Sequence, residues 1–237
     1  MADAPGPDPS PPAQGERPSA DGLSDAQRSL RAQMLATEHW SLLASRSTTQ
    51  SEVLTRIAIF LTLVSAGLVT LGVLGNVTRF QGWFGVAALG VLLLLVLLGF
   101  ITQKRVLNAS LDDLVCVIAM NRLRGAYLDL DPGLAPYLIS SANDDEAGAH
   151  RTYYPFSARP GQIFASSGMV MTVVEAAVLG LFVGGVVVGV DGPTWLAVAL
   201  GAIAAVANVV VWAVVGFRGY VAVFRLHAPL RTTEPDD

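Results

Sequence analysis

The chain has 237 residues, of which 52% are apolar and 14% charged, against about a quarter charged in an average soluble domain. Mean hydropathy is +0.52, so the composition points to a chain that crosses a membrane several times. A net charge of −4 supplies no basic field for nucleic acid, and a single cysteine, Cys116, excludes an intramolecular disulfide and a cysteine-rich metal site.

Residues 1–23, "MADAPGPDPSPPAQGERPSADGL", are rich in Pro, Asp, Ala and Gly and lack the basic and apolar regions of a signal peptide. They hold too few apolar groups to offset ordering entropy, which predicts a disordered Pro-rich tail. Ser24 is a plausible N-cap, and residues 24–56 read as a juxtamembrane helix with a broken stripe of Leu30, Met34, Leu35, Leu42 and Leu43. His39 and Trp40 fall on this helix. The polar "SRSTTQSE" either ends it or carries it on into the bilayer.

A bilayer core takes about 20 apolar residues in a helix rising about 1.5 Å each. Four runs qualify: Ile57 to Gly75, Trp83 to Thr102, Gly168 to Val190 and Thr194 to Phe217. They form two predicted hairpins, 57–102 and 168–217. Lipid offers no hydrogen-bond partners, so each run should be helical, and none shows the period-2 alternation of a barrel strand. The fold class expected is therefore all-α: a polytopic membrane protein with four transmembrane helices and cytoplasmic juxtamembrane helices.

Between the hairpins, residues 103–167 read as a cytoplasmic helical region. Leu107, Leu111, Leu114 and Ile118 recur at helical spacing. That helix should stop near Asp131-Pro132, because a residue before Pro resists the helical region. Cys116 reads as a core thiol. Arg122 and Arg124 suit either a phosphate or a partner's acid, or salt bridges to Asp112, Asp113 or Asp129. The consecutive acids Asp144, Asp145 and Glu146, near His150, point in different directions and read as a solvated loop, not a metal site. In the tail, 218–237, Arg218, Arg225 and Arg231 suit anionic lipid and also set topology, and His227 is expected beside the membrane.

Flanking charge sets orientation. The loop "NVTRFQG" holds Arg79, the turn "DGP" holds no basic residue, and every other Lys and Arg lies in the N-terminal, central and C-terminal segments. Four spans with both termini cytoplasmic, in the plasma membrane, satisfy this asymmetry.

The segments "MLATEHWSLLASRS" and "MNRLRGAYLDLDPGLAPYLISSANDD" resemble parts of small, uncharacterised actinobacterial membrane proteins, over about Leu30 to Phe217. The resemblance implies four spans with a cytoplasmic helical region and transfers no catalytic residue. The order of helix, two spans and helix is also similar in architecture to the two-span SLATT effector modules of bacterial conflict systems.

Inside the third span stands one acid, Glu175. A charge at mid-membrane costs about 2.5 to 3.5 kcal/mol on insertion scales. Glu175 is seven residues in from Gly168, Ser65 is eight in from Ile57, and Asn208 is nine from Phe217, so three polar groups should share one level. Ala176, Gly180 and Gly184 form a small-residue stripe on the third span, and Ala197, Gly201 and Ala205 one on the fourth, a pattern that lets helices approach closely. Asn208 falls on the face of its stripe. Glu175 is turned about 100 to 180° from its own, which predicts that it faces the first span near Ser65, or another subunit. It then serves either as a neutral carboxyl hydrogen-bonded to Ser65 or Asn208, or as a proton or cation site.

No nucleophile, Walker, zinc-protease or dinucleotide motif appears in its proper context. The expectation is a non-enzymatic membrane scaffold or regulatory protein without cofactor or metal. Its partners are the bilayer and either a second copy or a cytoplasmic protein, with Arg122, Arg124 and Trp40 as interaction residues. The alternative is an oligomeric pore, effector or small transporter using Glu175.

Overall fold

A computed structural model describes residues 22–156 and 166–234. The predicted Pro-rich tail therefore lies almost wholly outside the described residues. Among those residues the chain is helical throughout, with no strand.

Helix α1, Asp25–Thr78, is one rod of 54 residues, about 80 Å long. Ser24 starts it with a capping box: its hydroxyl accepts from Gln27 N while the Gln27 side chain accepts from Ser24 N. The polar stretch before the first span does not break it. Thr48 and Thr55 donate their hydroxyls to the carbonyls of Ala44 and Ser51, four residues back, so these side chains are satisfied within the helix. Arg79 and Phe80 then take left-handed backbone angles, φ 53° and 57°, and turn the chain.

Helix α2, Phe84–Leu130, returns antiparallel to α1 and ends against Asp131 and Pro132. A short 3-10 turn, Pro132–Tyr137, and helix α3, Glu146–Tyr153, follow. Helix α4, Ser167–Gly189, and helix α5, Thr194–Leu226, form a second antiparallel hairpin. Gly180 faces Gly201, and Gly184 faces Ala197: a Cβ at Gly180 would lie 2.8 Å from Gly201 O, and one at Gly184 3.1 Å from Ala197 O. Only small residues permit this approach. The two hairpins join chiefly through α2 and α4.

Two apolar cores result. One, built around Phe60, Leu95, Met171 and Val178, lies among α1, α2 and α4. The other, at the polar end, gathers Leu114, Val117, Ile118, Met120 and Ala149 under Leu42, Tyr220, Val223 and Phe224. Helix α5 thus runs nine residues beyond Phe217, because Tyr220, Val223 and Phe224 form an apolar face that α2 covers. Residues Leu107 and Leu111 of α2 reach α5 at Gly216 and Gly219. Of the stripe expected on α1, Leu35 and Leu42 are partly covered, whereas Leu30, Met34 and Leu43 stay exposed.

All four long helices are long and apolar enough to cross a membrane. Their outward faces carry Leu63, Val69, Leu94, Val173, Leu181, Ile203 and Val210 exposed. A surface this apolar calls for lipid, since soluble monomers rarely expose contiguous apolar patches larger than a few hundred Å².

The α4–α5 seam yields a test. A Cβ at Gly201 would sit 2.6 Å from the backbone oxygen of Gly180, so Gly201→Val forces the helices apart at a cost of about 1–3 kcal/mol. Thermal unfolding in mild detergent should show a midpoint several degrees lower. Gly90→Ala, where a Cβ meets nothing within 4 Å, should leave that midpoint unchanged or slightly raised.

Candidate functional site

Two groups of polar side chains are buried in this bundle, one among the apolar helices and one at the polar end.

Glu175 of α4 is 0% exposed. It faces α2, not α1: its carboxyl lies against Gly99, where any Cβ would overlap it. This corrects the expectation that it looks toward Ser65. Ser65 is turned outward and donates its hydroxyl to Leu61 O at 2.9 Å, and no hydrogen bond joins the two. One turn toward the polar end, Gln103 Nε2 donates to Thr172 Oγ1 at 2.7 Å, and Thr172 donates to Gly168 O at 2.9 Å. Both oxygens of Glu175 and the Oε1 of Gln103 are buried without a hydrogen-bond partner.

Asn208 is 5% exposed, and its Nδ2 is likewise unpartnered, as is Nε1 of Trp212 one turn on. The register that sets Gly180 against Gly201 and Ala205 puts Asn208 at about the level of Glu175, without a hydrogen bond between them. Of the small-residue stripes, Ala176, Ala197 and Gly201 are buried. Sequence reasoning missed Gly99 and Gln103. The signal for Gly99 was present: a lone glycine ends the run "VLLLLVLLGF".

At the polar end Asp144 is the hub. It is 0% exposed, which overturns the reading of its segment as a solvated loop. Leu230 N and Arg231 N donate to its carboxylate at 2.9 and 2.8 Å. The Arg122 guanidinium donates to Oδ2 at 2.8 Å and, through its other arm, to Ala228 O at 2.8 Å. His227 Nε2 lies 2.8 Å from the Asp144 carbonyl oxygen. Asp145 caps α3 through Gly148 N and accepts from Thr233 N at 2.6 Å. Residues 227–234 thus fold back over α2 and α3 as a strap, and Arg231 pairs with Asp129. Burial pushes the Asp144 carboxyl up, but the two backbone N–H groups and Arg122 outweigh it and hold the group below its ordinary 3.8.

A second carboxylate, Asp113 of α2, ties α1 to α3. Arg46 grips it with two arms at 2.5 and 3.1 Å, Gln50 donates at 3.0 Å, and the Tyr153 hydroxyl donates at 2.6 Å. Burial raises its pKa, but these donors outweigh burial, so it too stays below 3.8. Tyr153 is driven the other way, by burial and by the Asp113 charge. Glu52 of α1 holds Arg105 of α2 at 2.9 Å.

Arg122 therefore pairs with Asp144, and not with the Asp112, Asp113 or Asp129 considered from sequence. Arg124 donates to Asn121 Oδ1 at 2.6 Å. Trp40 is 71% exposed. His39 stacks on Tyr127 with ring centroids 6.1 Å apart. Burial, then Asp113, raises the Cys116 thiol, which suits a core thiol and not a nucleophile. Among the described residues no three His, Cys, Asp or Glu side chains converge as metal ligands do. No protein family, curated protein or solved structure matches the chain.

Asp144 has a depressed pKa, so its contribution is fully present above the ordinary value of 3.8 and lost as pH falls through the lower folded value. A hydrogen bond to a charged group contributes about 1.5–3 kcal/mol. Asp144→Asn should therefore speed hydrogen exchange at Leu230 and Arg231 by roughly ten- to a hundredfold, with α4 unaffected. Acidifying the wild type through the folded pKa, which lies below 3.8, should release the same two amides.

Proposed function

We propose that the protein is a non-enzymatic scaffold of the plasma membrane, with four spans and both termini in the cytoplasm, that presents its polar end as a docking module. One observation carries this reading. The polar end is assembled from α1, α2, α3 and the strap of residues 227–234, held by the buried Asp144 and the half-buried Asp113. The opposite end consists of two short turns, residues 79–83 and 190–193. Turns of that size offer no surface for a large extracellular ligand. A module stiffened by Asp113 and Asp144 holds a fixed surface toward the cytosol, which limits the entropy lost when a partner binds.

Charge supports the orientation. Apart from Arg79, every described Lys and Arg lies at the polar end, where the positive-inside bias puts cytoplasmic loops. The resemblance to small four-span actinobacterial membrane proteins agrees with it. The docking face we favour is the start of α1. Pairing of His39 with Tyr127, and of Arg46 with Asp113, sets a register in which α1 outruns the end of α2. On its first turns Leu30 is 59% and Met34 66% exposed. Those two side chains stand on the face opposite the buried one and fit the apolar groove of a protein partner or of a second copy.

A photoreactive side chain at Met34 should give a protein adduct in intact membranes, and one at Trp195, beside the short turn, should not. No adduct at Met34, together with a strictly monomeric protein in mild detergent, sinks the scaffold reading. Orientation has its own test. Thr194→Cys in a Cys116→Ala background should react with an impermeant maleimide added outside intact cells, and Thr233→Cys should not.

A further inference from the structure

Three orphaned atoms in the α2–α4 seam share one property. Both carboxyl oxygens of Glu175 and the Oε1 of Gln103 are acceptors, all are buried, and none has a hydrogen bond. They come from facing turns of α2 and α4: Gly99 and Gln103 on one helix, Glu175 and Thr172 on the other. Thr172 donates its hydroxyl to Gly168 O and accepts from Gln103 Nε2, an arrangement that uses the one hydroxyl hydrogen once. The amide oxygen is thereby left for something else.

What complements three acceptors must be positive or a donor. The surrounding helices make no such contact: Asn208 Nδ2 and Trp212 Nε1 of α5 are donors, but neither bonds these acceptors. No other charged or titratable side chain stands in residues 57–78 of α1, 84–103 of α2, 167–189 of α4 or 194–217 of α5. Glu175 carries at most one negative charge. A monovalent cation cancels it, whereas a divalent one leaves a net positive charge in an apolar interior, where an unpaired charge is expensive. Neutral interhelical glue is the competing role, and it requires a hydrogen bond. Neither Ser65 nor Asn208 makes one with Glu175.

A cavity of about 570 Å³ at the polar end is lined by Gly168, Val106, Ala109 and Asp113, and Gly168 lies about 10 Å along α4 from Glu175. Gly168 is the residue whose carbonyl holds Thr172, one turn below the Gln103–Thr172 pair. Oxygen ligands without nitrogen or sulfur suit a hard ion.

We propose that Glu175, with the amide oxygen of Gln103, binds one monovalent cation, the proton or an alkali ion, in the seam between α2 and α4. Gly99 is the residue that makes room for the carboxyl.

Dicyclohexylcarbodiimide, applied to the full-length protein in mild detergent, tests this. The reagent attacks protonated carboxyls in apolar surroundings. The O–H adds across one C=N bond, and the acylisourea rearranges to a stable N-acylurea with no atom lost. Mass spectrometry should find the adduct on Glu175 at acid pH and find it falling as pH rises in choline chloride; that alone identifies the proton. If sodium or potassium chloride at the same pH and ionic strength suppresses it further, an alkali ion binds, and Gln103→Leu should weaken that protection by about tenfold. Gly99→Ala, which displaces the carboxyl, should disturb labelling in either case, while a monodisperse elution profile shows that the variants fold. Labelling that ignores both pH and salt, or no labelling of Glu175 at any pH, overturns the proposal.

Discussion

The contact between α2 and α4 is the join on which this architecture depends. Each hairpin pairs its own helices along their length, but the hairpins meet each other chiefly across this one seam. Within lipid there is no hydrophobic drive to push helices together, so association rests on close packing and on whatever polar contacts the seam holds. Here those contacts are few and specific. Gln103 bonds Thr172, and Gly99 yields its side-chain space to the carboxyl of Glu175. The apolar remainder, Met171 and Val178 against Leu95 and Val96, fills the volume around them. One position therefore serves both packing and chemistry: the glycine that brings the helices close is the one that admits the acid.

The polar end follows a different physics. It is organised around two carboxylates, Asp113 and Asp144, each ringed by donors from elements distant in sequence. Both keep their charge because the donors outweigh the cost of burial. Such hubs are specific where an apolar contact is forgiving. Asp144 accepts two successive backbone N–H groups, and this orients residues 227–234 in a way that Leu230 packing alone does not. The same segment brings Arg231 to Asp129 and Thr233 to Asp145. Helix α5 is anchored at its far end as a result, and α1 is locked to α2 through Arg46 and Glu52.

The long rods join these two regions mechanically. Helices α1 and α2 are continuous from the apolar zone into the polar end. No proline interrupts either helix.

Local pattern carried a good deal of this. Four apolar runs, each about as long as a bilayer is thick, specify four helices whatever their arrangement, because a backbone without water satisfies itself only that way. The stop before Pro132, the cap at Ser24 and the glycine stripes of α4 and α5 are likewise written in short windows of sequence. The directions of side chains across elements are not. Glu175 turns to Gly99 and not to Ser65 because of how α4 rotates against α2, and rotation is set by the whole seam. Asp144 looks like one acid among three until a segment some 86 residues away returns to cover it. Periodicity fixes which residues share a face of one helix; only the packed bundle decides which face meets which, since that choice depends on the sum of all contacts and not on any one of them.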